Sequence, residues 1–162
     1  MTRWLRFGLT LLRSYTQQRL SSLDEELSIS VRAWPTDSDM SVVNHAALIS
    51  LMELGRIDLM ARSGFLSLAL RNGWSVPISI IGVRFVRPVR PLQRLTVLTK
   101  LAYADDQWLY VRHRIARGKK PVAAAVVQAT VRKGRERISH QQVLGLLGLP
   151  YRWEDSAPTF DA

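Results

Sequence analysis

A helix-length stretch that is apolar on almost every side constrains this chain more than any other feature. From about Asn44 to Ser63 the pattern is helical. Alanine, leucine, isoleucine and methionine cover most of the circumference, leaving a narrow polar stripe at Ser50, Glu53 and Arg56, with Gly64 as the expected stop. A helix apolar nearly all round has to be wrapped by other elements. The wrapping material follows it. Val76 to Val89, Arg94 to Ala104, Gln107 to Ala116 and Val122 to Arg132 are rich in Val, Ile, Thr, Tyr and Trp and read as four strands. Asp105-Asp106 and Arg117 to Lys120 are turns short enough to make antiparallel hairpins, and Pro88 and Pro91 bracket the turn before them.

An earlier strand, Leu27 to Trp34, ends at Pro35, and a last helix spans Ser139 to Leu147. Strand, long buried helix, then an antiparallel meander curled round it is the order of the hot-dog fold, an α+β class. We therefore expect a basic amphipathic N-terminal helix within residues 1–22, a hot-dog domain over 23–149 and an irregular tail over 150–162.

With 162 residues and 47% hydrophobic content, the chain is sized for one packed core and is too apolar for disorder. It has no cysteine, which excludes a disulfide scaffold, a thiolate-held metal and a cysteine nucleophile. No segment reaches the roughly 18 apolar residues of a spanning helix. The N-terminal stretch comes nearest, but Arg13 interrupts it. At helical spacing Trp4, Leu5, Gly8, Leu11, Leu12 and Tyr15 share one face among arginines, without an acid. Such a helix either docks its apolar face on the domain or lies in a membrane interface.

The densest chemistry lies just ahead of the central helix, in Asp37-Ser38-Asp39-Met40-Ser41-Val42-Val43-Asn44-His45. Two carboxylates precede a helix start whose free N–H groups carry partial positive charge. Such N–H groups can hold an oxyanion while a carboxylate attacks or activates water. The plainer reading of an acid at this place is a helix cap.

Trp34-Pro35-Thr36-Asp37-Ser38-Asp39, Val43-Asn44-His45 and Leu51-Met52-Glu53-Leu54-Gly55-Arg56 together resemble the acyl-CoA thioesterases of the hot-dog superfamily, of the 4-hydroxybenzoyl-CoA thioesterase type and its thioesterase-like branch. Arg84-Phe85-Val86-Arg87 and Asp105 to Tyr110 extend the similarity, which runs to about Gly148. The resemblance implies hydrolysis of an acyl-CoA to free acid and CoA, without a cofactor, in a cytoplasmic homodimer or higher homo-oligomer. Asp39 matches the catalytic carboxylate, as nucleophile or general base, and Asp37 its companion. Asn44 matches an asparagine that orders the turn, and His45 could assist proton transfer. The turn from Asp39 to Asn44 is one residue shorter than the usual pattern. A catalytically impaired module that binds acyl-CoA, lipid or a membrane surface is the alternative.

The net charge is +10, and between Leu59 and Arg135 fifteen Lys and Arg face only Asp105 and Asp106. Arginine forks suit the phosphates of CoA. Arg87, Arg90 and Arg94 flank one turn and Lys119 and Lys120 form another, which makes them the candidate phosphate contacts. An anionic membrane surface is a further candidate partner. Nucleic acid is not expected, because few aromatics interleave with the bases. His113 reads as a structural or exposed strand residue, His140 as a cap or solvent contact, and Glu53 with Arg56 as a helix pair. Separated histidines without clustered acids give no metal site.

Overall fold

A computed structural model describes residues 3–160, without the Arg3 side chain. Met1, Thr2, Asp161 and Ala162, the ends of the expected N-terminal helix and C-terminal tail, lie outside the described residues. The elements run α1 (Arg3–Thr16), β1 (Leu27–Arg32), β2 (Ser38–Asp39), β3 (Val42–Val43), α2 (His45–Arg62), α3 (Phe65–Asn72), β4 (Ile78–Phe85), β5 (Arg94–Ala104), β6 (Leu109–Arg117), β7 (Lys120–Ala129), β8 (Val131–Lys133), β9 (Glu136–Ile138) and α4 (His140–Leu147).

β1, β5, β6, β7 and β4 form one antiparallel sheet in that order, and α2 packs against its inner face. This is the expected hot-dog α+β architecture. Leu51, Met52, Leu95, Val97, Ile115 and Val122 are fully buried between helix and sheet. Gly55 permits the close approach, since a Cβ there would collide with the Thr99 hydroxyl.

The simple meander is corrected at one point. β4 pairs with β7, at the edge opposite β1, and not with β5. The connection over residues 86–93 crosses the start of α2 and is pinned from both sides. Val43 N–H donates to the Val89 carbonyl at 2.8 Å, Leu92 N–H to Ala33 at 2.7 Å and Ala33 N–H to Gln93 at 3.0 Å. Pro88 and Pro91 have no N–H to continue a ladder, and Leu92 adopts a positive φ of 66°, so the chain leaves the sheet here. The last strand read from sequence is also two elements. β7 stops at Ala129, and β8 and β9 form a separate hairpin through Gly134, at φ 59°. α3 was not expected.

α1 docks on α2 through only one edge of its apolar face, at Leu11. Thr10, Ser14 and Arg6 turn inward with Phe7 and Leu11, while Trp4, Leu5, Leu9, Leu12 and Tyr15 are exposed. The Ser14 hydroxyl donates to Asp58 at 2.6 Å, and Asp58 is buried beside Arg62. The tail after α4 has no regular structure, yet it lies on the sheet's outer side. Glu154 pairs with Lys100 at 3.0 Å and Arg112 at 2.8 Å, and the Phe160 ring covers Gly82. No helix among the described residues is long and apolar enough to cross a membrane.

Candidate active site

The stretch ahead of α2 folds as a two-residue hairpin. Ser38 pairs with Val43 and Asp39 with Val42, so the loop is only Met40-Ser41, with Met40 at φ 57°. Side chains alternate across this ribbon. Val43 enters the core, and Asp39 and Val42 point outward.

The two aspartates have separate fates. Asp37 accepts both prongs of Arg6, at 3.1 and 2.6 Å, and the Trp34 N–H at 2.7 Å. It fixes α1 to the start of the hairpin. Asp39 stands exposed at the turn. Asn44 caps α2: its side chain accepts the Ala47 N–H at 2.7 Å, and its own N–H donates to the Asp37 carbonyl at 2.9 Å. His45 is exposed, with its ring 4.2 Å from that of Phe85, in a cleft of about 260 Å³ shared with Val42, Leu48 and Arg87.

A second cleft, about 500 Å³, adjoins the same turn. Ser41 and Val42 line it together with Arg87, Arg90 and Arg117. Arg87 also donates to the Pro121 carbonyl at 2.9 Å, and Arg117 to the Gln93 side chain at 2.8 Å, so both are held in place. Of the five expected phosphate contacts the structure gathers two here. Arg94, Lys119 and Lys120 do not line the cleft. Arg117 was missed because it reads in sequence only as part of a basic turn, and pairing with Lys120 puts it at the strand end. Several other bases of the sheet are already paired, Lys100 and Arg112 with Glu154, and Arg114 with Glu26 at 2.7 Å.

A mostly apolar cavity of about 340 Å³ lies elsewhere. α2, α3, α4 and the sheet enclose it with Ile57, Met60, Phe65, Leu66 and Val143, and Glu53, Arg56 and His140 add polar groups. Neither Asp39 nor His45 reaches it within one chain. Beside it is a buried polar cluster. The His113 Nδ1 is 2.9 Å from the Thr99 hydroxyl, and its Nε2 is 3.4 Å from the Arg56 guanidinium. Arg56 can only donate, so Nε2 accepts and Nδ1 carries the proton. Burial, and then the Arg56 charge, push the His113 pKa down to about 3, so the ring is neutral and structural. Burial also lowers the Arg56 pKa, an effect that the Glu53 charge opposes. His140 is not a solvent contact. It is buried, with Nδ1 2.6 Å from the Asp105 carbonyl. No cluster of metal-ligating side chains occurs among the described residues.

The family model of the thioesterase-like superfamily matches residues 32–144. Among solved structures, a probable thioesterase from Bartonella henselae is 20% identical, with a TM-score of 0.66 over 71% of this chain and 98% of its own. A probable thioesterase from Escherichia coli is 15% identical, with a TM-score of 0.69 over 75% and 95%. A 1,4-dihydroxy-2-naphthoyl-CoA thioesterase from Synechocystis is 14% identical, with a TM-score of 0.67 over 76% and 95%. At these identities the likeness is one of fold. No curated protein matches the chain.

Proposed function

The chain belongs to the thioesterase-like superfamily, and from that premise we propose that it hydrolyses an acyl-CoA thioester to a free acid and CoA, with Asp39 as the working carboxylate. The observation that carries this reading is the division of labour in the hairpin. Asp37 is consumed by Arg6 and Trp34, while Asp39 stands exposed just ahead of the α2 N-terminus. As a general base, Asp39 takes a proton from water as the water oxygen adds to the thioester carbonyl. The oxyanion is met by the positive end of α2. Collapse breaks the C–S bond, and the departing CoA sulfur takes up a proton, which His45 can relay. As a nucleophile, Asp39 would displace the CoA thiolate, which takes up a proton, to form an acyl anhydride; water then opens it to the free acid and returns the carboxylate. Either route balances with water alone and calls for no cofactor.

Arg87, Arg90 and Arg117 beside the turn suit the phosphates of CoA, and the apolar cavity suits the acyl group. The two are joined in a homodimer. β4 is an edge strand with Ile78, Ile80 and Phe85 exposed, an unprotected edge that invites a second strand. Antiparallel pairing of two β4 strands about Ile81-Gly82 sets Ile78 of one copy opposite Phe85 of the other. Ile78 lines the cavity and Phe85 touches His45, so the catalytic turn of one copy serves the cavity of the other. A cytoplasmic location goes with CoA substrates.

The test is thiol release from a panel of short, long and aromatic acyl-CoAs. The chain has no cysteine, so a thiol reagent reports product without background. Turnover of at least one class is expected. Binding without turnover would instead mark a non-catalytic acyl-CoA module.

A further inference from the structure

α1 docks with most of its apolar face outward. Its inward side is held largely by polar contacts, Arg6 to Asp37 and Ser14 to Asp58, with only Phe7 and Leu11 adding apolar packing. The opposite side carries Trp4, Leu5, Leu9, Leu12 and Tyr15, each between 51 and 79% exposed. At 100° per residue these five and Gly8 share one arc of about 140°, with Thr16 at the last position of the helix the one polar residue in it. A stripe of this length is not a normal solvent face.

Two observations identify what covers it. First, the charge around the stripe is of one sign. α1 has no acid. In the cleft alongside it, about 330 Å³, Arg6 is taken up by Asp37, while Arg13 and Arg32 line it beside Leu9 and Trp34 without a carboxylate partner, and Arg13, Arg19 and Arg32 are exposed. Second, Trp4 and Tyr15 stand at the two ends of the stripe, the residue types that settle at the boundary between hydrocarbon and headgroups. A second copy of this chain is the poorer partner, because two such faces meeting would bring uncompensated arginines together.

We propose that α1 is a membrane-docking face. It lies in the plane of an anionic bilayer with Trp4, Leu5, Leu9, Leu12 and Tyr15 among the upper acyl chains, and Arg13 and Arg32 hold lipid phosphates beside Leu9. The polar contacts behind the helix then have a purpose. They fix α1 to the domain while leaving its apolar face outward. This inference stands on α1 alone and is independent of the reaction assigned to Asp39.

The experiment is flotation of the full chain with vesicles of phosphatidylcholine alone and with 30% phosphatidylglycerol added. Co-flotation with the anionic vesicles is expected, about fivefold weaker for Arg13→Gln, which removes one surface charge. Loss of tenfold or more is expected for Leu9→Glu/Leu12→Glu, with an unchanged melting temperature. Wild-type protein that stays in the lipid-free fraction overturns the proposal, as does a double variant that floats as well as wild type. A double variant that also drops to a smaller assembly in lipid-free gel filtration assigns the face to self-association and overturns it too.

Discussion

Arg6 and Asp37 form a two-pronged ion pair that ties α1 to the turn carrying Asp39, with both side chains largely buried. Breaking one side of such a pair leaves the other charge uncompensated. Asp37→Asn and Arg6→Ala should each cost about 2 kcal/mol, and the double variant should cost little more than either alone. Urea unfolding of the four proteins measures this. Additive losses would contradict the pairing.

Gly55 sits where α2 crosses the sheet against Thr99, with no room for a Cβ. Gly55→Ala should therefore destabilise by about 2 kcal/mol, although alanine is the better helix former by ~1 kcal/mol. Thermal melting decides the sign, and a rise in melting temperature would contradict the close contact.

His113 supplies a pH signature. Its ordinary value is 6.5 and its folded value is about 3, so between these limits the unfolded chain binds more protons. Stability then rises with pH across that window and is fully present above it. From pH 6.5 down to pH 5 the loss from this one group should be about 2 kcal/mol, and His113→Gln should flatten it. Unfolding midpoints of both proteins across this range provide the measurement. Equal slopes would contradict a neutral buried ring.

The arginine cleft makes a kinetic prediction. Arg87→Ala, Arg90→Ala and Arg117→Ala should each raise KM for a CoA thioester about tenfold, the loss of one charged hydrogen bond, with kcat little changed. Arg94→Ala, outside the cleft, is the control. Equal KM values in all four variants would move the phosphates elsewhere.

Much of this architecture is legible in the sequence because it is local. The all-round apolar pattern of α2 and the short turns at Asp105-Asp106 and Gly118-Lys119 define the helix and two hairpins directly. The crossing of residues 86–93 is not local. It depends on Val89 and Leu92 finding Val43 and Ala33, contacts that no periodicity reports. The orientation of α1 was hidden for a related reason. An apolar stripe ordinarily faces the core, and here Asp37 and Asp58, distant in sequence, capture its polar side. Asp37 and Asp39 look equivalent in the motif, and the Arg6 and Trp34 contacts of Asp37 separate them. Arg117 joins the cleft proposed for the CoA phosphates only when folding brings it beside Arg87 and Arg90.

The central claim is tested most directly by comparing acyl-CoA hydrolysis in Asp39→Asn with that in Asp37→Asn and wild type, on the best substrate of the panel. Asp39→Asn should keep wild-type stability and lose at least about 100-fold in kcat. Asp37→Asn should lose stability while keeping most of its turnover. An Asp39→Asn protein that hydrolyses at the wild-type rate would contradict the assignment of Asp39 as the working carboxylate.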